Sequence, residues 1–75
     1  MKGIIADKHY NGYGFIKVEG MRKNVYFHAR ALQDIGFNDL IIGDEVKLDD
    51  VVRSEQGIMA RSVTKLYDTG NTQID

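Results

Sequence analysis

Flat side chains recur at every second position on two short segments of this 75-residue chain, residues 12–18 and 25–28. The residues that share this spacing, together with one lysine, are Tyr13, Phe15, Lys17, Tyr26 and His28. Alternate side chains of a β-strand point to opposite faces, so these residues share one face of each segment and the aliphatic residues between them share the other. If the aliphatic face packs in a core, the rings and the lysine must point to solvent.

An exposed aromatic face indicates a binding surface, because contiguous apolar patches on a small protein usually mark an interaction site. Unpaired nucleic-acid bases stack on such rings, and each stack contributes about 1–3 kcal/mol. Lys17 adds a cation beside the rings, and the glycines at positions 12 and 14 have no side chain to cover them. The pattern therefore predicts binding of single-stranded nucleic acid.

The charges of the chain are unevenly distributed, although the net charge is only −1. Basic residues outnumber acidic residues by six to two over residues 1–30, whereas acidic residues outnumber basic residues by nine to four over residues 31–75. Such a separation can make one face attractive to phosphates while the whole molecule stays near neutral.

Catalytic and metal-binding patterns are missing from the sequence. The chain has no cysteine, so it has neither a disulfide nor a thiolate metal site. Its two histidines do not have the spacing of a helical metal pair, and no P-loop, dinucleotide fingerprint or nucleophile motif is present. The sequence therefore predicts a protein that is not an enzyme and that holds no cofactor and no metal.

Short strands separated by polar turns account for the pattern along the chain. The predicted strands are residues 3–6, 13–19, 25–28, 45–52 and 58–66. Crossover helices do not fit between them, so we predict an all-β fold, a five-stranded antiparallel sheet closed into an OB-type barrel. Residues 1–67 are expected to form a single domain, and the polar residues 68–75 a disordered tail.

No apolar run is long enough for a membrane-spanning helix, and no signal peptide is recognisable. The chain is therefore expected to be a cytoplasmic monomer without a membrane partner.

Two segments resemble the ribonucleoprotein motifs of cold-shock domains. Residues 11–16, Asn-Gly-Tyr-Gly-Phe-Ile, resemble the first motif, which is usually Lys-Gly-Phe/Tyr-Gly-Phe-Ile. Residues 25–28, Val-Tyr-Phe-His, resemble the second, which is usually Val-Phe-Val-His. The similarity extends over residues 3–67. It implies a five-stranded barrel that binds single-stranded RNA or DNA, with a role as an RNA chaperone or as a regulator of transcription or translation.

The resemblance also implies roles for individual residues. The residues implied to stack on bases are Tyr13, Phe15, Tyr26 and His28, with Phe37 in the loop before the fourth strand as an additional one. Cold-shock domains usually have Lys-Trp-Phe where this chain has residues 6–8, Ala-Asp-Lys, and the connection to the first motif is shorter here. Ala29 also stands where an aromatic residue is common. A smaller platform is therefore expected, with Lys8, His9 or Tyr10 compensating from the shortened loop.

A second hypothesis is that the chain is a diverged barrel that acts as a protein-interaction module. The loss of first-strand aromatic residues and the acidic carboxy-terminal half favour this alternative.

Overall fold

Five segments form strands in the computed structural model, which describes residues 1–67. The strands are β1 (Lys2–His9), β2 (Tyr13–Lys17), β3 (Val25–His28), β4 (Glu45–Ser54) and β5 (Gly57–Lys65). Two short 3₁₀ helices, Ala29–Ala31 and Phe37–Asp39, lie in the connection between β3 and β4. The tail predicted for residues 68–75 lies outside the described residues.

The strands close into a barrel in the order β1-β2-β3-β5-β4, which confirms the predicted five-stranded barrel. All neighbouring pairs are antiparallel except β3 and β5, which are parallel. The prediction of a purely antiparallel sheet is therefore wrong. Strand directions can alternate all the way round a closed ring only when the number of strands is even, so a ring of five must contain a parallel pair. The long connection and β4 lie between β3 and β5 in sequence, as a parallel pair requires.

The core is formed by one face of each strand. Ile16, Val25 and Phe27 are fully buried, and Val18 is almost so, which confirms the inward faces predicted for the second and third strands. The buried apolar residues are Ile5, Ile16, Val18, Val25, Phe27, Ala31, Leu40, Val46, Leu48, Ala60 and Val63.

Strand β1 extends well beyond the predicted residues 3–6, and its pairing with β2 is irregular. Ile5 pairs with Ile16, but the next pair is Asp7 with Phe15, so Ala6 is an extra residue with no partner on β2. A β-bulge of this kind bends the strand and changes the face on which the following side chains lie.

The bulge reverses the alternation over the last part of β1. Asp7 and His9 lie on the outer face, whereas Lys8 pairs with the inward-facing Gly14. An Asn-Gly turn then follows, with the Gly12 amide donating to the His9 carbonyl at 3.0 Å. Gly12 has a φ of 95°, which a residue with a side chain rarely adopts.

Gly14 lies where the backbone of β2 approaches the ring of Phe27. A Cβ atom at Gly14 would lie 2.8 Å from Phe27 Cε1 and 2.5 Å from the carbonyl oxygen of Asp7. Gly14 is itself buried and faces the core. The sequence-based explanation that it keeps the outer rings uncovered is therefore wrong: its missing side chain makes room for Phe27.

We predict that Gly14→Ala lowers the free energy of unfolding by about 2 kcal/mol, because an added methyl group in a filled core forces neighbouring groups apart. Urea denaturation measures the change. Gly36→Ala is the matched control, since Gly36 has a φ of −76° and its added Cβ would meet only Asp39 Oδ2 at 3.5 Å. Equal losses in the two variants would contradict the role of Gly14.

Asp44 connects the start of β4 to the preceding loop and to the end of β5. Its Oδ2 accepts a hydrogen bond from the Ile41 amide at 3.0 Å, and its Oδ1 lies 3.3 Å from Lys65 Nζ. The hydrogen bond from Ile41 lowers the pKa of Asp44 below its ordinary value of 3.8, and the positive charge of Lys65 lowers it further, against the opposing effect of desolvation.

A lowered folded-state pKa means that ionised Asp44 stabilises the fold above pH 3.8, and that this stabilisation is lost as the pH falls below that value through the folded-state pKa. We predict that Asp44→Asn lowers the free energy of unfolding at neutral pH by about 1 kcal/mol, because a charge-assisted interaction is lost. The deficit should shrink in urea denaturation experiments below pH 3.8. A deficit that stays constant over the whole pH series would refute the electrostatic explanation.

Candidate nucleic-acid interface

Two rows of outward-facing residues cross the barrel at right angles to its strands. The long rung takes one residue from each strand, in the order Asp7, Phe15, Tyr26, Met59 and Val52. The short rung consists of His9, Tyr13 and His28. Each member of a rung is the registered partner of the next, and registered partners lie on the same side of a sheet. The two rungs therefore form one continuous outer surface.

Three rings at the centre of the two rungs contact one another. The Phe15 ring centroid lies 6.0 Å from those of Tyr13 and Tyr26, with interplanar angles of 84° and 66°. The Tyr13 and Tyr26 centroids are 5.7 Å apart. Edge-to-face contacts of this kind are favourable between aromatic side chains. The structure thus brings together three of the predicted residues as one cluster on the side of β2 and β3 that faces away from the core.

His9 adds a fourth ring to the cluster. The sequence suggested it only as one of three residues, with Lys8 and Tyr10, that could compensate for the missing first-strand rings. Its ring is stacked on Tyr13, with centroids 4.5 Å apart and an angle of 12°, and meets Phe15 edge to face at 6.0 Å. His9 Nε2 also lies 3.3 Å from Asp7 Oδ2. The Asn-Gly dipeptide is the sequence signal that could have predicted the place of His9. A hairpin turn closed at His9 puts this residue opposite Tyr13 on the neighbouring strand.

His28 lies beside Tyr13 at the other end of the short rung. Its Nδ1 accepts a hydrogen bond from the Arg30 amide at 3.0 Å and lies 3.4 Å from Arg30 Nε. A nitrogen that accepts a hydrogen bond carries no proton, so the neutral ring is protonated at Nε2. His28 therefore presents an N–H donor as well as a ring face at the edge of the cluster.

Two grooves flank the contact between Tyr26 and Met59. One is lined by Tyr26, His28, Arg30, Ala31, Met59, Ala60 and Arg61. The other groove runs from Phe15 and Tyr26 to the β4–β5 turn. Its remaining lining residues are Val52, Ser54, Gln56, Gly57, Ile58 and Met59. Two arginines, Arg30 and Arg61, thus border the first groove, whereas no basic residue lines the second.

The remaining predicted residues lie outside the cluster. Lys17 is exposed at the far end of β2, opposite Ile4. Lys8 Nζ donates a hydrogen bond to the Leu40 carbonyl and lies 4.7 Å from the centroid of the Phe37 ring. Phe37 packs partly buried against the core, 6.3 Å from Phe27 between ring centroids. Lys8 and Phe37 therefore contact each other at one end of the barrel.

Within residues 1–67, no three histidine, aspartate or glutamate side chains are grouped so that they could hold a metal ion. No helix in that part of the chain is long and apolar enough to cross a membrane.

The profile of the 'Cold-shock' DNA-binding domain matches residues 1–66. The chain belongs to the cold-shock domain family. Members of this family bind nucleic acids, and the family is not a catalytic one.

Individual relatives are similar over most of their length. Cold shock protein CspB of Geobacillus stearothermophilus is 44% identical over 55 residues, which are 73% of this chain and 80% of the relative. Cold shock-like protein CspD of Bacillus cereus is 43% identical over 54 residues, 72% of this chain and 79% of the relative. The major cold shock protein of Micrococcus luteus is 38% identical over 55 residues, 73% and 81% of the two chains.

The first strand of this cold-shock domain contributes two polar side chains to the outer face. The resemblance implied that rings usual in cold-shock domains are missing at residues 6–8, and the bulge turns Asp7 and His9 outward. Asp7 brings a carboxylate to the long rung, and His9 brings a ring to the short rung.

Proposed function

We propose that this cold-shock domain binds single-stranded RNA or DNA by stacking bases on Tyr13, Phe15 and Tyr26, with His9 and His28 at the two ends of the short rung. The observation that carries the proposal is the cluster of contacting rings on the outer face, directly opposite a complete core. The inward side chains of β2 and β3 form part of the core. The outward rings lie on the opposite face of these strands and pack against no residue of the barrel interior.

The position of the arginines supports a path for the phosphate backbone. Arg30 and Arg61 border the groove beside Tyr26 and His28, so a strand stacked on the rings passes within reach of both. Lys17 is an additional phosphate contact beyond the other end of the cluster, on the same strand as Phe15. Affinity should fall as salt concentration rises, because phosphate contacts release counterions.

Phe37 and Lys8 act together in this proposal. Phe37 provides a separate stacking position outside the ring cluster, and Lys8 holds its ring through the contact of the ammonium with the ring face. The Lys8 ammonium is already hydrogen bonded to the Leu40 carbonyl, so its main effect is to position Phe37.

The energetics favour a role as an RNA chaperone, or as a regulator that acts on weakly paired RNA. A stacked base contributes about 1–3 kcal/mol, whereas a base-pair step in a duplex contributes on average about 1.4 kcal/mol. A few stacks on the cluster can therefore compete with weak secondary structure without reading a long sequence. One barrel carries the whole ring cluster, so a cytoplasmic monomer is sufficient for this function.

We predict that Tyr26→Ala weakens binding of a short pyrimidine-rich oligonucleotide by roughly 5- to 150-fold, the equivalent of one lost stack. Fluorescence anisotropy of a labelled oligonucleotide at low salt measures the change. Tyr67→Ala is the matched control, because Tyr67 is 58% exposed but contacts Lys65 rather than the ring cluster.

Unchanged affinity in Tyr26→Ala, or equal weakening in both variants, would contradict stacking on the cluster. Absence of any oligonucleotide binding by the unaltered protein would instead favour the protein-interaction module.

A further inference from the structure

Asp7 is an unexpected residue in a surface that is proposed to bind a polyanion. Its carboxylate lies in the long rung beside Phe15, and its side chain is 54% exposed. A negative charge at this position repels phosphates, so it weakens non-specific binding unless the carboxylate contacts the bases themselves.

The carboxylate of Asp7 is held in place by its neighbours. Its Oδ1 accepts a hydrogen bond from the Lys8 amide at 2.9 Å, and its Oδ2 lies 3.3 Å from His9 Nε2. His9 is in turn held by its stack on Tyr13. A carboxylate can accept about four hydrogen bonds, so each oxygen of Asp7 retains capacity for a further donor on its exposed side.

The register places the remaining acceptor sites of the Asp7 carboxylate beside the edge of a base that stacks on Phe15. Registered cross-strand neighbours have Cβ atoms about 4.5–5.5 Å apart, and a base is wider than the ring on which it stacks. On the β3 side of Phe15 the space is bordered by the Tyr26 ring, whereas on the β1 side it is bordered by the Asp7 carboxylate. The polar edge of the base that points towards β1 therefore meets an acceptor.

Bases differ in what they present to a carboxylate. Guanine has two adjacent donors, N1–H and the N2 amino group, which match the two oxygens of a carboxylate in parallel. Cytosine and adenine have an amino group next to an acceptor nitrogen, and uracil and thymine have one N–H between two carbonyl oxygens. Only guanine can make two hydrogen bonds to a carboxylate without bringing an acceptor against it.

We propose that Asp7, positioned by His9, makes this interface selective for guanine at the base stacked on Phe15. The proposal rests on the nucleic-acid binding proposed above. Asp7 is a specificity-determining residue in this scheme, because it favours guanine by bidentate hydrogen bonding and disfavours other bases by uncompensated repulsion.

The test compares a uridine tract with the same tract carrying one central guanosine, cytidine or adenosine, for the unaltered protein and for Asp7→Asn. In the unaltered protein the guanosine should tighten binding by about tenfold, the discrimination expected of a bidentate pair, and the other two bases should not. Asp7→Asn keeps the shape and an acceptor for the Lys8 amide but removes the charge. It should bind the uridine tract more tightly and lose the preference for guanosine.

Asp49→Asn removes the same charge from an exposed position on β4, opposite Ser62, and should leave the guanosine preference intact. Tight binding of all the tracts without a preference, a preference shared by cytidine or adenosine, or a guanosine preference that survives in Asp7→Asn would each overturn the proposal while leaving nucleic-acid binding in place. If no tract binds the unaltered protein, the proposed function fails, and the selectivity proposed for Asp7 fails with it.

Discussion

The interior of this barrel has room for only one face of each strand, and that constraint places the three central rings of the proposed interface, Tyr13, Phe15 and Tyr26. Phe27 fills the space beneath β2, and Gly14 is the residue that lets the backbone approach its ring. Once Phe27 and Ile16 are buried, the neighbouring positions on the same strands must face outward. The ring cluster is therefore a consequence of the core, since moving either strand by one residue would exchange the two faces.

The bulge at Ala6 is the one place in β1 where this alternation is broken, and it determines the chemical character of the first strand. Without the extra residue, Lys8 would follow Ala6 on the outer face, and Asp7 and His9 would point towards the core. With it, the first strand presents a carboxylate and an imidazole next to the rings, while the lysine lies against Phe37. One extra residue thus changes which functional groups a bound strand would meet.

Alternation in the sequence was sufficient to predict the inward faces of β2 and β3, and with them the outward positions of Tyr13, Phe15 and Tyr26. It failed for β1, because a bulge depends on how two strands pair and the sequence of one strand does not reveal it. His9 was therefore expected in the shortened loop rather than in a strand opposite Tyr13. The parallel pairing of β3 with β5 follows from closure of the barrel, which local sequence patterns do not encode.

The most direct test of the interface is a map of backbone amide and side-chain NMR shifts during titration with a single-stranded oligonucleotide. The largest changes should fall on the two rungs, above all on Phe15, Tyr26 and His28, and extend along the groove that Arg30 and Arg61 border. Residues 41–42, which are exposed and apolar but lie outside both rungs, should change little. Changes centred on residues 41–42, with the rungs unaffected, would contradict the assignment of the interface.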